Sequence, residues 1–508
     1  MERDRRILLI SPRIDSRFTK SYRPELSENL GLAYLAGYLE SRGVTATILD
    51  LNSRNLNTED LINLVKEGNY PLVGISGNSP YYLSDSINFS RLFREKGIVS
   101  HITIGGHSAT FRAEQVLNEY ATLDSVVRGE GEITLYELFE AINNNRDLRG
   151  VLGITYRDKG KIQRNENRPV ITDLDNLPFP NHYNLEAAIK SGESAHILTS
   201  RGCPGGCSFC IVPLSTRWRP RSPRNVLEEI TLLYNKGARN FVIDDENYTG
   251  HCDRGRDRAI EIANLIIDQG LRIRYKASLR VDDINEALLE RMIASGLTRV
   301  NVGVESFNQR QLDLYNKHIT PEQSVKVIEM LIRMKLNATL GMIMFDPYVS
   351  LDELQNNHDN MRRFATHFNF KKTRTHLRPM KGSAIWSRLK NEGLLIEKKD
   401  YDDFYHFKNP EAARVFESME CSKETMKELE RDYEKFIEAY LKLGKKDRVL
   451  ASSIKSTVET KMTLMWLDIL QHLINSAKQN RTNSPVPQDI IEQQKKISKL
   501  LSDAMQLY

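Results

Sequence analysis

The strongest constraint on how this chain folds is an alternation of short, continuous apolar runs with amphipathic stretches. Between residues 5 and 142 the runs are 7–10, 46–49, 72–75, 102–104 and 125–127, and the amphipathic stretches are 30–41, 58–66, 84–96, 112–120 and 132–143. Strand then helix, five times over, predicts a parallel sheet with helices on both faces. Runs that are apolar throughout fit strands buried on both sides. The expected fold is α/β, a Rossmann-like or flavodoxin-like domain whose ligands sit beyond the carboxyl ends of the strands.

The pattern lapses and then returns. Asn143, Asn144 and Asn145 close the last helix, 150–164 reads as a small hairpin turning at Asp158, Lys159 and Gly160, and Leu177-Pro178-Phe179-Pro180 continues neither a helix nor a central strand. Residues 146–193 are therefore expected to be a linker with a short β-hairpin. From 194 to about 395 six runs (196–199, 240–244, 274–278, 299–304, 338–344 and 373–377) again alternate with helical patterns. This predicts a parallel barrel, partial or full, in preference to an open sheet. Beyond about residue 400 the strand signal stops; 411–443 and 454–476 are helical in pattern, with charge runs that read as solvated faces.

Of the 508 residues, 40% are hydrophobic and 27% charged, an ordinary globular balance that needs no covalent staples. The net charge of +5 is too weak to argue for a nucleic-acid partner. No apolar stretch approaches the roughly 18 residues of a membrane helix, and the run at 7–10 is too short for a signal-peptide core. A cytoplasmic, reducing location and no membrane partner are expected.

Of five cysteines, Cys203, Cys207 and Cys210 fall within eight residues, in a Gly/Pro loop after a predicted strand, while Cys252 and Cys421 stand alone. An odd count placed so unevenly is a poor disulfide framework and a good metal-ligand cluster. The spacing Cys-x3-Cys-x2-Cys lets three thiolates converge on a four-iron cluster and leaves one iron open. Zinc is the competing reading, with His251 or Cys252 as a fourth ligand. Three ordinary loop cysteines are the plainest one.

With an aromatic residue before its third cysteine, this motif resembles that of the radical S-adenosylmethionine (SAM) enzymes, over residues 194 to about 380. The resemblance implies that Cys203, Cys207 and Cys210 hold a 4Fe-4S cluster whose open iron is chelated by SAM, that Phe209 packs near the adenine, and that an external donor such as flavodoxin or ferredoxin reduces the cluster. It also implies SAM contacts at strand ends: Asp245 and Glu246 after the second barrel strand, Ser278 and Arg280 at the third, Glu305 and Ser306 at the fourth. The plain alternative for each is a helix cap or a loop ion pair.

The first domain resembles the cobalamin-binding domain that some radical SAM enzymes carry ahead of the barrel. The residues that carry the likeness are the stretch 30–39, Ser76, Gly77 and Ser79 after the third strand, Gly105, Gly106 and His107 after the fourth, and Gly129, Glu130 and Gly131 after the fifth. Glycines there permit close backbone approach to a bulky ligand. The motif that supplies a lower axial histidine is absent: the loop after the first strand reads Ser11-Pro-Arg-Ile-Asp-Ser-Arg. Cobalamin is thus expected without a histidine below the cobalt, and a degenerate domain that only supports the barrel is the alternative. His107 is not expected to ligate a metal.

The expected layout is a cobalamin-type domain at 1–145, a linker at 146–193, a radical SAM barrel at 194–398 and a helical segment at 399–508. The expected activity is a cobalamin-dependent methyl transfer to an unactivated carbon of a small molecule or peptide, through a 5′-deoxyadenosyl radical and methylcobalamin. The alternative is a rearrangement, cyclisation or oxidation, with cobalamin structural or absent. A third reading, zinc in the cysteine loop and a nucleic-acid partner, rests on Arg217, Arg219, Arg221 and Arg224 around Trp218. RNA methylthiolation is disfavoured because no cysteine precedes Cys203. Cys421 reads as a helix cysteine.

Overall fold

The computed structural model describes residues 5–13, 28–53, 56–212, 217–443, 445–481 and 486–506. Five parallel strands open the chain: β1 (Arg6–Ser11), β2 (Thr45–Asp50), β3 (Leu72–Ser76), β4 (His101–Gly105) and β5 (Ser125–Val127). Their buried side chains face helices on both sides, as continuous apolar runs require. The hairpin expected in the linker, β6 (Ile154–Asp158) and β7 (Lys161–Arg164), instead joins this sheet. β6 pairs antiparallel with β5, giving the order β2-β1-β3-β4-β5-β6-β7. Ile154 and Tyr156 enter the core beside Leu135 and Phe139, which covers an otherwise open edge of the short β5. The strand order reverses between β1 and β3, where such sheets open a crevice.

In the second half, β8 (Ala195–Ile197), a two-residue antiparallel pair β9 (Ser200–Arg201) and β10 (Arg219–Pro220), then β11 (Asn240–Ile243), β12 (Arg274–Arg280), β13 (Leu297–Glu305) and β14 (Asn337–Met342) follow in turn. The parallel order is β14-β13-β12-β11-β8. The sixth expected strand is reduced to a single parallel bridge between Phe345 and His376, because a 3-10 helix occupies Phe370–Arg374. The result is a partial barrel. Along β12 burial alternates, so Tyr275, Ala277 and Leu279 meet the helices while Lys276 and Ser278 line a polar interior.

The C-terminal helices, Pro410–Thr425, Lys427–Lys442, Lys445–Lys478 and Gln488–Gln506, share one continuous core with the barrel. A buried Met426 breaks the single helix expected over 411–443. Arg374 ties this layer to the sixth barrel position by pairing with Glu430 and lying 4.3 Å from the Trp466 ring. Between barrel and tail, a small hairpin carries Tyr401 into the core of the first domain and Asp403 against Arg112. No helix among the described residues is long and apolar enough to cross a membrane.

Candidate functional site

The cysteine loop follows β9. Gly202 and Gly206 take φ of +82° and +62°, a left-handed bend that other residues rarely adopt. The loop is pinned from outside: Ser208 hydrogen-bonds the carbonyls of Leu314 and Tyr315, and Asn316 Nδ2 donates to Gly206 O. Cys203 Sγ accepts from Gly205 N at 3.4 Å and Cys207 Sγ from Arg280 Nη1 at 3.6 Å. A side chain at Gly205 would push that guanidinium aside, because a Cβ would land 2.6 Å from it. Burial pushes the Cys203 thiol up and the Cys210 thiol to about 11, so bound metal must draw off their protons.

The three cysteines suit a cluster better than one zinc ion. Tetrahedral zinc, with Zn–S bonds of about 2.3 Å, would bring its sulfurs to about 4 Å of one another. Among the described residues the one trio of candidate ligand atoms all within 4.8 Å is His251, Asp282 and Asp283, not the cysteines. His251 is engaged by Asp283 at 3.1 Å, and Cys252 Sγ points to Thr249 O, so neither joins the loop as a fourth ligand.

The strand ends sort the carboxylates. Asp245, expected at the site, is 2% exposed, with its two oxygens taken up by Thr199 N, Thr199 Oγ1 and Ser200 Oγ; it locks β9 to β11 and faces away from the interior. Its neighbours face inward. Glu246 lies near enough to raise the thiols of Cys203 and Cys210, and Asp244, missed in the sequence, meets His196 at 2.6 Å. Ser278 Oγ lies 3.4 Å from Asn301 Nδ2 inside the barrel. Glu305 sits at a bulge with φ +66° and pairs with a buried Lys317 at 3.2 Å. Gly303 makes room for that pair, since a Cβ would stand 2.4 Å from Glu305 Oε1. Ser306 departs from expectation: fully buried, it bonds Gln311 and Asn357 and braces the turn. Phe209 packs edge-on against Tyr315, 5.8 Å between centroids. Arg280 belongs to the cysteine loop more than to the interior, with Asp282 and Lys317 O holding the rest of its guanidinium.

On the facing domain, Ser76 is held by Asn29 Nδ2, and Ser79 caps the helix Pro80–Glu95 by accepting from Tyr82 N. His107 is fixed by Asn78 Oδ1 at 2.8 Å, and burial lowers its pKa. Gly106 must be glycine because its φ is +110° and a Cβ would meet Asn78 Cα at 2.7 Å; thus the loops after β3 and β4, with Gly77 and Gly105, close on one another. Gly129, by contrast, has nothing within 4 Å of a Cβ position, so this strand end opens on free space. Glu130 is not free for a ligand: it pairs with Arg219 and Arg201 and accepts from Ile171 N, while Arg201 also holds Glu132. Gly131 abuts Leu35. Residues 14–17 of the loop after β1, the position of an axial histidine in the cobalamin motif, lie outside the described residues.

These ion pairs clamp the β5 side of the two domains together. On the β3–β4 side they part around a cavity of about 320 Å³. Its wall runs from Ser79 and Ser108 of the first domain to Ile211, next to Cys210, and is completed by 378–381 and 401–403. The segments after β3 and β4 and the residue that follows Cys210 thus line one space. Of the arginines around Trp218, Arg219 and Arg221 are 7% and 4% exposed and paired with Glu130 and Glu229, while Arg217 and Arg224 are exposed.

Comparison with known proteins agrees with both halves. Residues 197–359 match the model of the radical SAM superfamily, and residues 22–139 that of the B12 binding domain. An uncharacterized methyltransferase of Pyrococcus horikoshii is 31% identical over 356 residues, 69% of this chain and 76% of the relative. An anaerobic magnesium-protoporphyrin IX monomethyl ester cyclase of Rubrivivax gelatinosus is 31% identical over 315 residues, 59% of this chain and little more than half, 56%, of the cyclase. The cobalamin-dependent S-adenosylmethionine radical enzyme OxsB, solved with aqua-cobalamin bound, superposes with a TM-score of 0.74 at 17% identity, over 98% of this chain and 84% of that one. At that identity the likeness establishes the fold, including the helical C-terminus.

Proposed function

We propose that this chain, which belongs to the cobalamin-binding radical SAM enzymes, transfers a methyl group to an unactivated carbon of a small molecule or peptide. The observation that carries the reading is the cavity walled by Ser79 and Ser108 on one side and Ile211, beside Cys210, on the other. When bound, the cluster with SAM supplies a hydrogen-abstracting 5′-deoxyadenosyl radical, and cobalamin supplies the methyl group.

The chain's own residues position these partners. Cys203, Cys207 and Cys210 ligate the cluster. Glu246, Ser278 and the Glu305–Lys317 pair face the space beside it and are the groups offered to SAM; Phe209 walls the same side. The loops at 76–79, 105–107 and 129–131 carry the corrin, with Gly129 leaving its backbone open to close approach. The barrel interior, shielded by the first domain, keeps water and competing reactions away. Cluster reduction calls for an external one-electron donor such as flavodoxin or ferredoxin, and hence a reducing, cytoplasmic location.

The test is an anaerobic absorption spectrum of protein produced with and without cobalamin supplied. Iron–sulfur absorption in both and cobalamin bands in the first support the reading; no cobalamin retained after gel filtration removes it. A second reading is favoured by one observation, the 31% identity to a cyclase: the substrate radical closes or rearranges without gaining carbon. A product in which a methyl group has replaced a hydrogen supports transfer, and an unchanged mass or a loss of two hydrogens supports the second.

A further inference from the structure

One cation in the wall of the cavity between the domains, Lys381, forms no ion pair with a carboxylate among the described residues. Asp403 is fully engaged: Oδ2 accepts from Arg112 at 2.6 Å and from Trp386 Nε1 at 2.8 Å, and Oδ1 from Lys398 N. Asp402 accepts from Tyr81 Oη at 2.6 Å. Lys381, half-buried in the same wall, has one hydrogen-bond partner among the described residues, the neutral Gln115 Oε1 at 2.7 Å. That oxygen already accepts from Arg112 at 3.2 Å. The ammonium also lies 5.7 Å from the Trp386 ring.

An ammonium has three donors and no acceptor, so two donors of Lys381 remain for whatever enters. A half-desolvated cation without a carboxylate is costly unless a ligand compensates it. Burial and the neighbouring Arg112 lower its pKa in spite of the opposing carboxylates of Glu397 and Asp403, neither of which it contacts. Around it the wall is aromatic and apolar, with Tyr81, Tyr82, Tyr401 and Met380. Such a site suits an apolar or ring-shaped body bearing one anion.

We propose that Lys381 seats an anionic oxygen group, a phosphate, phosphonate or carboxylate, of the molecule that fills this cavity. The inference rests on the function proposed above. Two molecules could bring that chemistry: the substrate, or cobalamin through the phosphate of its nucleotide loop.

The test compares full-length, anaerobically reconstituted wild type with Lys381→Gln and Lys381→Arg. Inorganic pyrophosphate is titrated calorimetrically into cobalamin-loaded protein. Cobalamin, and cobinamide, which lacks the nucleotide-loop phosphate, are titrated into unloaded protein. Loss of one charge-assisted hydrogen bond should weaken binding about tenfold or more in Lys381→Gln, with Lys381→Arg within about threefold of wild type. A loss for pyrophosphate assigns the seat to a substrate anion; a loss for cobalamin with cobinamide unchanged assigns it to the nucleotide loop. Equal affinities of wild type and Lys381→Gln for all three overturn the proposal, with iron content and melting temperature reporting an intact fold. If the wild type retains no cobalamin, the functional reading fails by itself, and the pyrophosphate titration on unloaded protein still judges the seat.

Discussion

Arg280 Nη1 stands 3.6 Å from the sulfur of Cys207, while Asp282 and the carbonyl of Lys317 fix the other guanidinium nitrogens. A cation held this way cannot swing off the sulfur, and Gly205 leaves it the room it needs. Reducing a cluster adds negative charge, which a neighbouring cation and a hydrogen bond to sulfur favour. Arg280→Gln is therefore expected to shift the cluster's midpoint potential to more negative values. A tenfold change in the one-electron equilibrium corresponds to about 59 mV. Redox titration followed by electron paramagnetic resonance checks this at unchanged iron content; an unmoved potential contradicts it.

Gly303 lies under the Glu305–Lys317 pair, and Gly303→Ala would drive a methyl group into both side chains. Misplacement by about 1 Å near reacting groups costs up to a hundredfold in rate. SAM cleavage is expected to fall by between about ten- and a hundredfold with the cluster still loaded. Iron analysis beside a 5′-deoxyadenosine assay separates the two effects.

Much of this was legible in the chain because burial on both sides writes a strand as an unbroken apolar run. The first five runs fall on β1 to β5, and the cysteine spacing marked the metal loop. Pairing was not legible: nothing local in 150–164 says that the hairpin will hydrogen-bond Ser125–Val127. The helix break at Met426 and the lone bridge at His376 are likewise set by tertiary packing. The choice between Asp244, Asp245 and Glu246 could have been read. Side chains alternate along a strand, so with Ile243 buried outward, Asp244 and Glu246 face in and Asp245 faces out. Glu305 and Ser306 were not separable in this way, because the bulge at Glu305 breaks the alternation. Lys381 left no signal, because its significance lies in a neighbour 266 residues away, Gln115.

The domains are held over the cavity by a buried pair, Arg112 and Asp403, exposed by 4% and 0%. Removing one member of such a pair strands the other, at about 3–5 kcal/mol. Asp403→Asn keeps the shape and is expected to cost that much in urea unfolding. A cost below about 1 kcal/mol, the range of exposed pairs, contradicts the role given to it.

His182 bridges Glu28 at 2.5 Å and Glu229 at 3.1 Å, joining the two domains through the linker. Burial alone would lower its pKa, but the two carboxylates outweigh it and raise it from 6.5 to about 9. A histidine whose pKa is raised on folding stabilises below its unfolded value and loses that contribution as pH climbs through the folded one. Stability is therefore expected to decline between pH 6.5 and about 9, with up to one proton released on unfolding. His182→Asn should flatten that slope in melts recorded across the window.

The most direct measurement follows the fate of SAM. Protein reconstituted anaerobically with iron and sulfide is incubated with SAM and a one-electron reductant, with and without cobalamin, and its nucleoside products are separated by chromatography. If the chain unites a radical cluster with a methyl-carrying cobalamin, 5′-deoxyadenosine should form in both samples, and S-adenosylhomocysteine only where cobalamin is present. Formation of 5′-deoxyadenosine alone, unchanged by cobalamin, would contradict methyl transfer, and absence of both would contradict the cluster itself.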